Sequence, residues 1–218
     1  MERAEVRVLV FSGSLRAGSL NTRLADLAAK ILRDNGAHVD VATMGDFAAP
    51  SYDGDLEKVQ GIPEEAAELR RRLEASDAFV IASPEYNASM SGVLKNAIDW
   101  TSRFRPQPWA GRNGLLMSAS PSMVGGNRGL WALRVPLEHL GASIHPDMFS
   151  LAQAHTAFTE EGGLADATLA ERLTGTLVAF LDIAEAGKHY FCARRAWVEF
   201  LGERADPTID RVERVQAP

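Results

Sequence analysis

The chain carries one cysteine, Cys192, among its 218 residues. That excludes an internal disulfide, leaves only a bond between subunits, and fits a reducing compartment. Nothing around Cys192 resembles a nucleophile constellation. An excess of positive charge is also missing: Lys+Arg 23 against Asp+Glu 29 gives a net charge of -6. No basic surface of the kind that holds a polyanionic backbone is expected, which argues against nucleic acid as the main partner. Long apolar runs are absent. The N-terminal run from Val6 to Phe11, interrupted by Arg7, is too short for a signal peptide or a membrane span. A cytoplasmic protein without a membrane partner is therefore expected. There is no HExxH zinc motif and no cysteine pair, and His38, His139, His145, His155 and His189 are too scattered to form a ligand set. No metal is expected.

What is present reads as an ordinary globular protein, 46% hydrophobic and 24% charged. A chain of this length buries roughly 70% of the surface its unfolded form would expose, enough for one α/β domain. The β-branched run from Val6 to Phe11 predicts a strand, and Leu24, Leu27, Ala28, Ile31 and Leu32 recur at helical spacing after it. Asn35-Gly36 closes that helix, and residues 37–41 alternate as a second strand. A long loop over 48–63, with Pro50, Gly54, Gly61 and Pro63, precedes a helix over 64–75. Strands over 78–82 and 114–118 follow, each succeeded by a polar turn and a helix, over 93–103 and to about Leu140. Residues 142–144, with 149–151 as a further piece, supply a fifth strand, and 164–186 a last long helix. This alternation predicts a doubly wound five-stranded parallel sheet with helices on both faces.

In such sheets ligands bind beyond the carboxyl ends of the strands, at the point where the strand order reverses. The loops after strands one, three and four therefore belong together. The first, residues 12–22, sets Ser14, Arg16, Ser19, Asn21 and Thr22 among two glycines at the start of a helix. Backbone N–H groups and the helix dipole there favour an anion. Ser19 stands where a triphosphate loop needs lysine, and no GxGxxG can be laid on these residues, so a phosphomonoester fits better. The alternative is a loop that merely caps the helix through Ser19 or Asn21. The second loop, Ser83 to Gly92, combines Pro84, Glu85, Tyr86 and Asn87 into a ledge suited to a flat polar ring. Read blandly, Tyr86 and Trp100 are core aromatics and Glu85 a surface charge.

Taken together, GSLRAGSLNTRLA and SPEYNASMSGVLKNAIDW resemble the NADPH-dependent FMN reductase family, which includes quinone, chromate and azo-dye reductases. The resemblance spans roughly residues 5 to 187 and implies a flavodoxin-like fold. It implies that Ser14, Arg16, Ser19, Asn21 and Thr22 hold the FMN phosphate, and that Pro84, Glu85, Tyr86 and Asn87 lie along the isoalloxazine ring. The third loop, Ser118 to Arg128, resembles the family's last flavin loop, with Ser118 and the paired Gly125 and Gly126 at the ring. The implied activity is FMN-dependent oxidation of NADPH or NADH with ping-pong transfer to a small acceptor, such as a quinone, free flavin, azo compound or metal oxyanion. No residue is assigned as strictly catalytic, because the flavin carries the chemistry. The resemblance also implies a homodimer or homotetramer. Alternatives are an organoarsenical-type flavin reductase, a flavodoxin-like electron carrier, or a fold relative that has lost the flavin.

Two departures matter. Ser91 stands where the family usually has proline, and Pro121-Ser122 reshape the third loop. The chain also continues past the usual end, so the expected division is an FMN-binding domain over 1–187 and a C-terminal extension over 188–218. In the extension Tyr190, Ala193, Trp197, Phe200 and Leu201 are spaced as an apolar helix face, before Asp206-Pro207 breaks the pattern. Packing on this subunit or a partner is the expectation for it, with a lid over the flavin as the alternative.

Overall fold

Four parallel strands set the architecture of the computed structural model, which describes residues 5–189. They are β1 (Arg7–Ser12), β2 (His38–Ala42), β3 (Ala78–Ala82) and β4 (Asn113–Ala119), all paired in parallel. A fifth sheet position is shared by two short pieces. β5 (Ser143–Ile144) pairs with Asn113 and Gly114, and β6 (Phe149–Leu151) pairs with Met117 to Ala119. The strand order is β2-β1-β3-β4-β5, with β6 also on β4. This is the flavodoxin-like order, whose reversal falls between β1 and β3. The fifth sheet position is thus filled by the two pieces expected, 142–144 and 149–151, and Pro146, which has no N–H to give a ladder, lies in the interruption between them.

Side chains of alternate parity leave the sheet for two separate cores. Val8, Val10, Ala78, Val80, Leu115 and Met117 pack under α1 (Leu20–Asp34) and α7 (Ala167–His189). Leu9, Phe11, Phe79, Ile81 and Leu116 pack under α3 (Glu64–Glu74), α4 (Gly92–Thr101) and α5 (Asn127–His139). All five residues of β3 are buried, as expected of a central strand covered on both faces. Each large aliphatic or aromatic side chain so buried contributes about 1.5–3 kcal/mol. The helices read as expected from their periodicity. In α1, Leu24, Ala25, Ala28, Ala29 and Leu32 form the buried stripe.

Two boundaries differ from expectation. The stretch over 48–63 contains a helix, α2 (Gly54–Gln60), capped by Asp53, whose carboxylate accepts from Asp55 N. None of its residues is buried, so there was no apolar period to read. The last helix starts at Ala167 rather than 164. Phe158 and Leu164 form an isolated bridge, and Asp166 Oδ1 accepts from the N–H groups of Thr168 and Leu169. A short α6 (Ala154–Ala157) precedes that turn. At its other end α7 runs through residue 187 without a break, and Lys188 Nζ reaches Glu5 O and Asp77 Oδ2. The apolar face expected over 190–201, and Cys192, lie outside the described residues.

Candidate functional site

Three loops leave the carboxyl ends of adjacent strands β1, β3 and β4, and each enters a helix. The first helix, α1, begins at a Ser19 cap whose Oγ accepts from Asn21 N at 3.2 Å. No acidic residue occupies the first turn of α1, α4 or α5, whereas α2 and α3 each carry two acids there. The positive dipole ends of α1 and α4 thus carry no carboxylate in their first turns, whereas that of α5 meets Glu85 from the second loop, which accepts from Gly129 N.

Within the first loop Ser14 is half-buried and its Oγ accepts from Arg16 N. The hydroxyls of Ser14 and Ser19 accept in these bonds, so their O–H protons remain to be donated. Among the described residues nothing accepts from the N–H groups of Leu15, Ala17 or Gly18, or from the Arg16 guanidinium. Thr22 lies exposed on the first turn of α1. Asn21 behaves differently. It is 3% exposed, and its amide donates to Ala119 O and accepts from Ala119 N, both at 2.9 Å. Its side chain thus clasps the end of β4.

The second loop starts with buried Ser83 and Pro84 and turns at Asn87 and Ala88, whose φ values are 52° and 61°. Tyr86 and Ser89 exchange both backbone hydrogen bonds across that turn. Two successive left-handed residues make it a primed hairpin turn, which alanine enters at a cost of roughly 1–2 kcal/mol. The turn holds Tyr86 outward, 52% exposed. Tyr86 is therefore not a core aromatic, whereas Trp100 is fully buried. Glu85 is no surface charge either. Its side chain is only 10% exposed, pairs with Arg128 at 2.8 Å and accepts from Gly129 N at 3.1 Å.

The third loop is pressed onto its surroundings. Gly125 and Gly126 have φ of 65° and 84°. A side chain at Gly125 would meet Ala152 N at 2.9 Å, and one at Gly126 would meet Ser118 Oγ at 2.0 Å. Ser118 Oγ itself is buried and unpartnered among the described residues, as is Ser12 Oγ. The loop is also tied sideways: Ser120 N donates to Leu151 O, and Gln153 N to Ser122 O. Pro121 and Ser122 thus belong to a segment braced against β6.

Every sequence-derived candidate, Ser14, Arg16, Ser19, Asn21, Thr22, Pro84, Glu85, Tyr86, Asn87, Ser118, Gly125 and Gly126, falls on these three loops, on the first turns they enter or, for Ser118, at the carboxyl end of β4. Unspent N–H and O–H donors, a free guanidinium, an orphaned buried hydroxyl and glycines that leave the backbone bare fit a phosphorylated, flat, polar cofactor such as FMN. Sequence reasoning missed the bond from Ser91 Oγ to Gly13 O and the burial of Glu85 against α5. The serine before an apolar helix was a readable cap signal, but its partner 78 residues away was not. Elsewhere, a hollow of about 300 Å³ lined by Arg7, His38, Asp40 and Ser76 sits at the amino ends of β1 and β2, away from these loops. Among the described residues no group of three or more His, Cys, Asp or Glu could hold a metal ion, and no helix is long and apolar enough to cross a membrane.

Known proteins match this arrangement. The family described as NADPH-dependent FMN reductase matches residues 6–156. A quinone reductase of Escherichia coli K12 is 35% identical over 187 residues, covering 84% of this chain and 98% of the relative. A probable NADPH:quinone oxidoreductase 2 of Oryza sativa is 38% identical over 186 residues, 82% of this chain and 89% of the relative. Among solved structures, the flavoenzyme NAD(P)H:(acceptor) oxidoreductase FerB of Paracoccus denitrificans superposes with a TM-score of 0.73 at 31% identity, covering 84% of this chain and 98% of that one. On these grounds the chain belongs to the NADPH-dependent FMN reductase family.

Proposed function

We propose that the protein oxidises NADH or NADPH through FMN bound at the three-loop edge and delivers the electrons to a quinone. The observation that carries the reading is the unspent donor set of the first loop: the Arg16 guanidinium and the N–H groups of Leu15, Ala17 and Gly18 at the acid-free start of α1. Ser14, Arg16, Ser19 and Thr22 hold the phosphate, and Asn21 shapes the loop from beneath. The backbone of Pro84 to Asn87 lines one side of the ring, and Ser118, Gly125 and Gly126 line the edge of the ring at β4.

Bound flavin supplies the redox chemistry, accepting hydride from a nicotinamide and returning electrons to the acceptor. The chain's own part is to bind, orient and stabilise charge. Fixed N–H dipoles and the acid-free N-terminal ends of α1 and α4 favour the more negative reduced form without reorganising. Leu15, Tyr86, Met123 and Val124, drawn from all three loops, are exposed, and an apolar rim of these side chains that serves donor and acceptor in turn would give ping-pong kinetics. A planar, largely apolar quinone suits such a rim. Arg103 is bound to Glu57, Arg128 to Glu85, and Arg105 to the carbonyls of Ser102 and Phe104. With Arg16 on the FMN phosphate, each of the other three already has a partner within the chain, and the reading therefore takes NADH as well as NADPH as donor. The protein works in the cytoplasm as a homodimer or homotetramer. Exposure of Trp131 and Val135, one turn apart on α5, supports such an assembly.

The test is the absorption spectrum of the purified protein, with FMN added if needed, followed by anaerobic NADPH and then a quinone. Bands near ~450 nm that bleach and return establish the activity. Bands that persist with NADPH and NADH would make the protein an electron carrier instead, and failure to take up FMN would overturn the reading.

A further inference from the structure

Side chains join the three loops to one another, pair by pair. Asn21 binds the first helix to the third loop through its paired bonds with Ala119. Glu85 binds the second loop to the third through Arg128 and Gly129 N. Ser91 closes the triangle. It is 1% exposed, and its Oγ donates to Gly13 O at 2.6 Å while accepting from Leu94 N at 3.4 Å as the cap of α4. Gly13 is held from its other side as well, with its N–H on Ala82 O at 2.9 Å. A side chain there would come within 3.0 Å of Leu94 Cδ2 and 3.6 Å of Pro84 Cδ. The backbone of the first loop therefore lies directly on the second.

We propose that Ser91 is a positioning residue, whose hydrogen bond to Gly13 sets the spacing between the phosphate loop and the ring-facing loop and so governs how tightly FMN is held. This rests on the FMN reading above. Ser91 is too buried to touch a ligand, so its influence passes through Gly13, the last clamped residue before the exposed stretch from Leu15 to Gly18. Donors that must converge on a phosphate bind more weakly when the loop carrying them has first to be ordered. Of the two bonds at Ser91 Oγ, the brace is short and buried, where hydrogen bonds are strongest, and the cap is long. Losing the hydroxyl therefore acts on the loop more than on the helix. The backbone at Ser91, φ -65° and ψ 143°, is already that of proline, and no described group accepts its N–H. Ser91→Pro thus deletes the brace at a residue whose own φ and unshared N–H suit proline.

Ser91→Ala, Ser91→Pro and Ser91→Thr are compared with the unaltered full chain in two measurements: hydrogen–deuterium exchange without cofactor, and FMN titration followed by flavin fluorescence. The alanine and proline variants are expected to exchange faster at residues 14–19 and to bind FMN about three- to tenfold more weakly. The threonine variant keeps the hydroxyl and stays near the original in both. Unchanged exchange and unchanged FMN affinity in the alanine and proline variants would overturn the proposal. So would faster exchange spread over the whole sheet, the mark of a general loss of stability. If the unaltered chain binds no FMN, the functional reading falls and takes the proposal with it. If it binds FMN and the variants match it, only the proposal falls.

Discussion

Single residues at the loop edge fall into those that spend their hydrogen-bonding groups within the chain and those that do not. The Arg16 guanidinium spends none among the described residues, so Arg16→Ala is expected to weaken FMN binding about tenfold, the weight of one charge-assisted bond, with the melting temperature unchanged. A titration that finds full affinity would place Arg16 outside the site. Ala88 sits in the left-handed region at φ 61°, a conformation glycine adopts freely. Ala88→Gly is expected to leave stability level or raise it by up to about 1 kcal/mol while loosening the turn that presents Tyr86. Thermal melting read beside turnover separates the two effects. The residue types and their clustering on three loops were legible in the sequence. Which of them already had partners was not, because Asn21 and Ala119 meet only when α1 is laid beside β4.

At the scale of elements, close packing decides what the pattern left open. The parallel register sets Phe79 beside Gly114, and the Phe79 ring fills the space where a side chain would stand, 2.3 Å from a Cβ built there. Gly114→Ala is expected to cost about 1–3 kcal/mol through overpacking, which denaturant unfolding measures directly. The long segment before α3 is likewise held by tertiary contacts. Asn96 Nδ2 donates to Ala49 O and Pro50 O, Trp100 Nε1 donates to Pro50 O at 2.7 Å, and Arg103 pairs with Glu57 of α2. α2 escaped the sequence because an element with no buried face leaves no period, whereas the fifth sheet position was read in both its pieces, 142–144 and 149–151.

Over the whole molecule, acid stability should show two windows. Burial holds His145 below its usual 6.5, with its Nδ1 unpartnered among the described residues and its ring edge-on to Phe180 at 5.9 Å. The fold therefore favours the neutral ring, and stability begins to fall as pH drops through 6.5, where the unfolded chain takes up the proton first. Hydrogen bonds from Arg71 and Arg72 hold the Glu68 carboxyl at about 2, against an ordinary 4.5. Its contribution is complete above 4.5 and lost as pH falls from there through about 2. Melting temperature followed against pH should show both declines. His145→Phe should abolish the upper one alone, and an unaltered upper decline would assign it to another group.

The sequence by itself determined the alternation of strands and helices, the two-sided burial of β3 and the chemistry gathered on three loops. Each of these follows from local periodicity and from residue types that act where they stand. Only the tertiary structure decided that Glu85 turns inward to α5, that Asn21 grips β4 and that Ser91 reaches Gly13. Those are bonds between residues 44 to 98 positions apart in the chain. No local pattern encodes such partners, because the distance between them is set by the packing of the sheet and not by the chain that joins them.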